Sequence, residues 1–457
     1  MFPEAVYVER RRRLREHVGS GVLLFLGNEL SPINYDDNCF PFRQDSSFLY
    51  YFGLDEPGLA AVIDVDSETE CVFGNDLTVE EIVWTGPQPP LREKCGKIGV
   101  AETAPPGELE AVLKGRKVHF LPQYQGANIL KIHRLLGLSP RVIHEHVSEP
   151  LIRAVVAQRS VKSLEEIEQI EAALEISYQM QTEAMRLARP DVVEREVAAA
   201  MQAIALSQGV QLAFPTIFSV HGETLHNLDS GNVMRAGDMA VNDSGAESPL
   251  RYASDVTRTI PVGGKFSPKQ HEVYSIVLHA QTRAIAAIKP SVEFREIHRL
   301  ACVALTAGLR DLGLVKGDVE EAVKAGAHTL FFQCGLGHMM GLDVHDMQGL
   351  GEDRVGYTDE IKRSNDFGWG SLRLAKAVEP GFVVTVEPGV YFIPALIDRW
   401  QAERKLDQFI NYDAVEEYRH FGGVRIEDDV LVTADGCRLL GTPIPKTVEE
   451  VEALASA

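Results

Sequence analysis

The sequence has little of what would mark a membrane, secreted or nucleic-acid-binding protein. No run of about 18 apolar residues occurs, so no membrane span and no membrane partner is expected. Six cysteines (Cys39, Cys71, Cys95, Cys302, Cys334 and Cys437) are scattered without paired spacing, which suits reduced thiols in a cytoplasm rather than a disulfide framework. Basic residues are the minority charge: 45 Lys and Arg against 66 Asp and Glu give a formal net charge of −21, which argues against nucleic acid as a partner. The basic run Arg10 to Arg13 with Arg15 is followed by no apolar stretch that could form a signal-peptide core, and is expected to be a solvated helix face. No repeat or low-complexity segment is evident. What remains is 457 residues, 45% hydrophobic and 24% charged, ordinary values for a soluble chain of two or three domains.

From about residue 20 to 150, short apolar runs (Gly21 to Leu26, Phe48 to Phe52, Ala60 to Val65, Val118 to Leu121) alternate with helical stretches, as in an α/β domain. A boundary is expected near Ala157 to Lys162. After it, Ser163 and Glu166 form a capping-box pattern ahead of Leu164, Ile167, Ile170, Leu174 and Tyr178 at helical spacing. A second helix is expected from Ser267, with Pro268 at its first position and Gln270 at its third, running toward Pro290.

The chemistry concentrates in the C-terminal half. Asp243, Asp255, His338, Glu387 and Glu427 lie in the phrases VNDSGAES, ASDVTRTIPVGGKF, CGLGHMMGLDVHD, TVEPGVYF and GGVRIEDDVLVTADG. Each sets its polar residue beside β-branched, apolar or glycine neighbours, as a strand or strand end would. Around Glu427, Val424, Ile426 and Val430 alternate, and Asp428 and Asp429 are expected to face elsewhere. Carboxylate oxygens with one imidazole suit Mn, Co or Zn, and the absence of cysteine from the set argues against a structural zinc site. Four carboxylates balance two dications, so the assembled centre can be buried near neutrality, and a water shared by both would ionise near neutral pH.

These phrases resemble the pita-bread metallopeptidases, specifically the prolidase and aminopeptidase P branch that cleaves bonds preceding proline. The resemblance covers nearly the whole chain, and FPFRQDSSFLYYFGLDEPGLAAVIDVD is similar to that branch's first domain. It implies an α+β protein: an α/β N-terminal domain over 1–158 followed by a pita-bread catalytic domain over 159–457. By motif, Asp243 matches the family's bidentate ligand on one metal, Asp255 and Glu427 its bridging carboxylates, and His338 and Glu387 the remaining ligands. Asp243 and Asp255 are 12 residues apart, one more than is usual in the family, with the extra residue expected in a turn at Ser248-Pro249-Leu250.

The same resemblance makes Glu387, His345 and His226 the expected catalytic groups, and His226, His345 and Arg373 expected substrate-side groups, to which the strand position of Arg425 adds that residue. His345 is similar to a histidine near the scissile carbonyl, and His226 to one that closes over the proline ring. Arg425 shares a strand face with Glu427, and is expected either to hold a ligand carboxylate or to form a structural salt bridge. Arg373, in SLR, matches the arginine with which prolidases read the free carboxylate of proline. Where the family commonly has HGLGH or HGLSH, this chain has Cys334 four residues before His338. Cys334 is expected either to alter the substrate pocket or to be a small buried filler. The implied function is a dinuclear Xaa-Pro metallopeptidase of prolidase type, cytoplasmic and homodimeric or larger. Its implied cofactors are two divalent ions, Mn(2+) before Co(2+) or Zn(2+), and its substrates small peptides with proline second. Aminopeptidase P is the alternative, because KGDVEEAVKAGAH and FPFRQDSSF resemble that enzyme more. A metal-free or non-catalytic pita-bread protein is the remote one.

Overall fold

The computed structural model describes residues 1–456. The chain divides into two compact units, one comprising Met1–Arg159 with Met347–Arg354, the other Ser160–Asp346 with the chain from Val355. Among the described residues no helix is long and apolar enough to cross a membrane.

The first unit is built on a five-stranded mixed sheet in the order Glu102–Ala104, Thr69–Phe73, Ala60–Asp64, Val22–Leu26, Val118–Phe120. Val22–Leu26 runs antiparallel to Ala60–Asp64 and parallel to Val118–Phe120. Val22, Leu24, Leu26, Val62 and Phe73 form its core with Leu109, Leu113 and Ile132 from the helices. Two expectations need correction. Phe48–Phe52 is helical, within Ser46–Phe52, because Asp45 accepts from Phe48 N at its start and Gly53 turns left-handed at its end; such local caps outweigh the strand preference of the aromatic run. The basic run is not a solvated face throughout, since Arg10 and Arg11 are buried. Arg11 reaches Glu70 Oε2 (2.7 Å) and the carbonyls of Tyr51 (2.9 Å) and Ile98 (2.8 Å), and Arg10 stacks over Tyr50.

The second unit combines two helix pairs with two three-stranded sheets and one two-stranded ribbon. Leu164–Leu187 carries the expected Ser163/Glu166 capping box and buries Ile167, Ile170 and Leu174, while Leu164 itself is exposed. Pro268–Ala287 begins with the Ser267/Gln270 box and buries Val273, Val277 and Ala280. A repeat marked in the sequence only by the match of PDVVERE (190–196) with PSVEFRE (290–296) is plain in the backbone. Each of these helices is followed by a Pro-led turn with one left-handed residue, Asp191 (φ 69°) or Ser291 (φ 70°), then an isolated bridge at Val193 or Glu293, then a second helix, Glu194–Ser207 or Phe294–Asp311.

One sheet has Met239–Ser244 at its centre, flanked by Ile217–Ser219 and Val256–Pro261, all antiparallel. The other has Asp428–Val432 between Val383–Val386 and Cys437–Leu439, and Gly389–Tyr391 pairs with Gly423–Arg425. The turn joining the two long strands of the first sheet falls at 248–251, with Arg251 left-handed (φ 69°). The extra residue is therefore absorbed beyond the paired strands.

Candidate metal centre

Strand alternation brings the candidate ligands to one face. Asp243 is paired directly with Thr257, and Asp255, two residues before Thr257, points the same way. Glu427 is the second of the two residues between Gly423–Arg425 and Asp428–Val432, and its amide donates to Thr257 O (3.0 Å), locking the two sheets together there. Glu387 directly follows Val383–Val386. The 336–338 stretch lies alongside, with Glu387 N donating to Leu336 O (2.8 Å) and Thr385 N to His338 O (3.0 Å). Gly337 is obligatory in that stretch, because a Cβ there would meet Thr385 O at 2.0 Å.

Asp243, Asp255, His338 and Glu427 are buried, and Glu387 is half-buried. His338 Nδ1 faces the carbonyl of Met339 at 3.0 Å, a contact favourable only as N–H donation, which leaves the lone pair on Nε2. That Nε2 lies 3.4 Å from Asp255 Oδ2 and 3.5 Å from Glu387 Oε1. Ligand atoms of Asp255, His338 and Glu427 lie within 4.8 Å of one another. Oδ1 of Asp243 and Oδ1 of Asp255 are buried without a hydrogen-bond partner. Acceptors facing acceptors with no donor between them is an arrangement that a cation relieves, so the residues present fit a divalent metal.

The electrostatics agree. Burial first, then the Asp243 carboxylate, pushes Asp255 well above the usual carboxylate range. Burial, then Asp255 and Glu387, does the same to Glu427. Glu387 is pushed up to about 7, chiefly by burial, against the pull of His338. Burial lowers His338, so its imidazole is neutral and ligand-competent.

Around these side chains stands a supporting layer. All three guanidinium nitrogens of Arg425 donate to protein groups: Nη2 to Asp243 Oδ2 (2.6 Å), Nε to Thr257 Oγ1 (3.0 Å) and Nη1 to Tyr391 OH (3.0 Å). Thr257 Oγ1 in turn donates to Glu427 Oε2 (2.7 Å), and Thr385 Oγ1 accepts from His338 N (3.1 Å). Asp429 does not face away as expected: two residues after Glu427, it accepts the Asp255 amide on Oδ2 (3.1 Å). Thr257, Thr385, Tyr391 and Asp429 escaped sequence reasoning because nothing local distinguishes them; the i+2 spacing of Asp429 from Glu427 was the one available signal.

The other expected residues fall into three groups. His345 joins the centre, its ring 4.3 Å from that of His338 between centroids and nearly perpendicular to it. The adjoining Asp346 forms a fully buried ion pair with Lys162 (2.9 Å). Arg373 is half-buried and near enough for its charge to contribute to the lowering of His338. His226 is exposed on the loop between Ile217–Ser219 and Met239–Ser244, and among the described residues no hydrogen bond or ring contact brings it to the carboxylates. Cys334 lies beside Glu387, Arg425 and Tyr391, its thiol pushed up to about 12, first by burial and then by the Glu387 charge.

A cluster of this kind, on two sheets each backed by one copy of the repeated helix pair, defines a metal-dependent hydrolase. Residues 168–434 match the model of metallopeptidase family M24, and residues 7–119 match that of the aminopeptidase P N-terminal domain. The human Xaa-Pro dipeptidase is 31% identical over 471 residues, spanning 99% of this chain and 93% of that protein. Among solved structures, Pseudomonas aeruginosa aminopeptidase PepP superposes with a TM-score of 0.82 at 27% identity, over 100% of this chain and 98% of that one. Zn-substituted Escherichia coli aminopeptidase P in complex with product superposes at 0.81 and 28%, over 99% and 98%. The chain belongs to metallopeptidase family M24, in its prolidase and aminopeptidase P branch. It is a metal-dependent enzyme with an α/β N-terminal domain and a pita-bread catalytic domain.

Proposed function

We propose that this protein hydrolyses the Xaa-Pro bond of small peptides at a dinuclear centre held by Asp243, Asp255, His338, Glu387 and Glu427, with Mn(2+) the preferred ion, and that it is of prolidase type. The observation that carries the centre is the buried set of carboxylates whose Asp243 Oδ1 and Asp255 Oδ1 have no donor. Divalent cations there supply the positive charge that polarises a peptide carbonyl and brings a water within reach of ionisation near neutral pH.

The chain's own residues do the rest. Glu387, half-exposed at the edge of the cluster, takes a proton from the attacking water and delivers it to the proline nitrogen, which must leave as a secondary amine. His345, held beside His338 and backed by the Lys162–Asp346 pair, donates to the carbonyl oxygen as charge develops there. Arg425 keeps Asp243 in place, and because its nitrogens are engaged internally its part is support rather than contact with peptide. Tyr391, buried against Arg425, braces the guanidinium. His226 closes over the proline side from its loop.

The dipeptidase reading rests on Arg373. A guanidinium at the substrate side of His338 rewards a free carboxylate on proline and penalises a chain that continues past it. The similarity to the human Xaa-Pro dipeptidase supports it, while the superposition on aminopeptidase P structures favours the second reading, Xaa-Pro aminopeptidase. Hydrolysis of Ala-Pro and Ala-Pro-Ala compared in added Mn(2+) decides between them: a dipeptidase cleaves only the first at an appreciable rate, and equal or greater kcat/KM on the tripeptide overturns the prolidase assignment.

A further inference from the structure

Glu194 is a carboxylate with no exposure, and among the described residues no Lys, Arg or His pairs with it. It opens the helix Glu194–Ser207, where the helix dipole favours an anion, and its acceptor positions are filled by neutral donors. Oε1 accepts from Val220 N (2.7 Å) and Ser219 Oγ (3.1 Å), and Oε2 from Asn232 N (3.1 Å) and Asn232 Nδ2 (3.0 Å). The backbone repeats the same tie, Glu194 N donating to Asn232 O (3.0 Å) and Arg195 N to Ser230 O (2.9 Å).

These partners are the two feet of one loop. Val220 is where the chain leaves the strand Ile217–Ser219, whose Ile217 pairs with Asp243, and Asn232 is where it returns. Between them lies the 221–231 segment with His226 exposed on it. Its first foot is seated on the strand that bears Arg425, since a Cβ on Gly222 would meet Gly423 O at 2.8 Å. The carboxylate also reaches His226 by relay. Ser219 Oγ, which donates to Glu194, accepts from Asn227 Nδ2 (3.0 Å) and from His221 N (3.1 Å), and Asn227 directly follows His226.

We propose that Glu194 is a positioning residue for the peptidase reaction: its buried carboxylate clasps both ends of the 221–231 loop and, through Ser219 and Asn227, sets where His226 stands over the substrate. The proposal rests on the reading of His226 given above. Among the described residues no other side chain joins Val220, Ser219 and Asn232 at one point, so without the carboxylate the second foot keeps its backbone bonds to Glu194 and Arg195 but loses its tie to the first.

The test uses the Mn(2+)-loaded full chain as wild type, Glu194→Gln, Ser219→Ala, His226→Ala and the Glu194→Gln/His226→Ala double variant. In Glu194→Gln an amide nitrogen faces two donors where an oxygen accepted from them. KM for Ala-Pro is expected to rise about tenfold with kcat within about threefold. Chymotrypsin cleavage at Leu225 and Leu228 should accelerate, and metal content should stay unchanged. In the His226→Ala background the same substitution should add no further rise in KM, because the effect passes through that histidine. Should Glu194→Gln fail to fold, Ser219→Ala, which cuts the relay but leaves the other donors in place, is expected to show the same KM-selective loss. Wild-type KM and cleavage rate in Glu194→Gln would overturn the clasp, and so would an equal penalty with and without His226. If His226→Ala itself leaves KM unchanged, the substrate role of His226 fails and the positioning role with it, whereas loop cleavage in Glu194→Gln still shows whether the clasp exists.

Discussion

Replacing Asp255 by Asn separates the two sides of the metal-centre argument, because the change should weaken the loaded enzyme and strengthen the metal-free one. In the metal-free protein the Asp255 carboxylate is buried, has an oxygen without a donor and faces Asp243. Its upward displacement, caused first by burial and then by Asp243, represents stability forgone at neutral pH. An amide removes the charge and supplies a donor for the neighbouring carboxylate. In chelator at pH 7 the variant should therefore melt higher than wild type, by roughly 2 °C per kcal/mol for a unit of this size. In Mn(2+) the order should invert. Wild type gains about 3 kcal/mol for each ion bound at a hundredfold excess over Kd, and the variant, lacking the carboxylate proposed to serve both ions, should lose most of that gain and all but about a thousandth of the Ala-Pro rate.

The pH dependence follows with the same sign. Glu387 is raised from 4.5 to about 7, so its contribution is fully present below pH 4.5 and lost as pH rises through 7, with Asp255 and Glu427 raised in the same direction. Metal-free wild type should thus lose stability across that window, and added Mn(2+) should abolish the loss. Scanning fluorimetry across pH with and without chelator, beside metal content and turnover, reads all of this. A variant that melts below wild type in chelator would refute the account of the carboxylates as strained. One that keeps more than about a tenth of the activity under saturating metal would refute a bridging role.

Three further outcomes are expected. Arg373→Ala should raise KM for Ala-Pro about tenfold, the worth of one charge-assisted contact, and leave any Ala-Pro-Ala cleavage within about twofold; equal losses on both would remove the carboxylate-reading role. Cys334, held up at about 12, should resist iodoacetamide at pH 8, where roughly one thiol in ten thousand is ionised, so inactivation at a free-thiol rate would contradict its placement; Cys334→His should lower KM without changing metal content if this position touches substrate. His298, fully buried against Phe332 and Trp369 and held at about 3 by burial, contributes stability present above pH 6.5 and lost as pH falls toward 3, on the order of 2 kcal/mol at pH 5. In Mn(2+), His298→Phe should flatten the acid limb of the melting curve, and an unchanged slope would show that another group governs it.

What could be read in the sequence was what short stretches encode. The Ser163/Glu166 and Ser267/Gln270 boxes are complete within four residues, and both helices start where those boxes place them. The phrases around the five candidate ligands are likewise local, because a polar residue fixed at a strand end needs β-branched or glycine neighbours. What escaped depends on partners distant in the chain. Arg11 looks like its exposed neighbours until Glu70, Tyr51 and Ile98 are brought to it. Thr257 is an ordinary strand threonine until Glu427 and Arg425 arrive from 168 to 170 residues away. The Phe48–Phe52 run misleads for a different reason: its aromatic content suits a strand, and the caps that decide the matter sit just outside it. The helix–turn–helix repeat shows in the backbone at Asp191 and Ser291, and its only local mark in the sequence is the short match of Pro190, Val192, Arg195 and Glu196 with Pro290, Val292, Arg295 and Glu296.

The treatment of buried charge elsewhere in the same unit is what gives the centre its meaning. Arg258 and Asp428 are paired at 2.7 Å beneath the ligands, with Arg258 also donating to the carbonyls of Thr257, Glu427, Ile444 and Pro445, and Asp428 also accepting from Lys446 and Gln281. Glu194, without a cation, has its oxygens filled by main-chain and side-chain donors. This fold thus supplies partners for buried carboxylates by two different means. At the centre it supplies them only from behind: Arg425 to one oxygen of Asp243, Thr257 to one oxygen of Glu427, and the Asp429 carboxylate to the Asp255 amide. Oδ1 of Asp243 and Oδ1 of Asp255 are left bare, and Nε2 of His338 stands 3.4 Å from the other oxygen of Asp255. A site satisfied at the back and bare at the front has been oriented, and the species that completes it must be positive and small enough to be shared by oxygens and an imidazole nitrogen, which are the properties of a divalent metal ion.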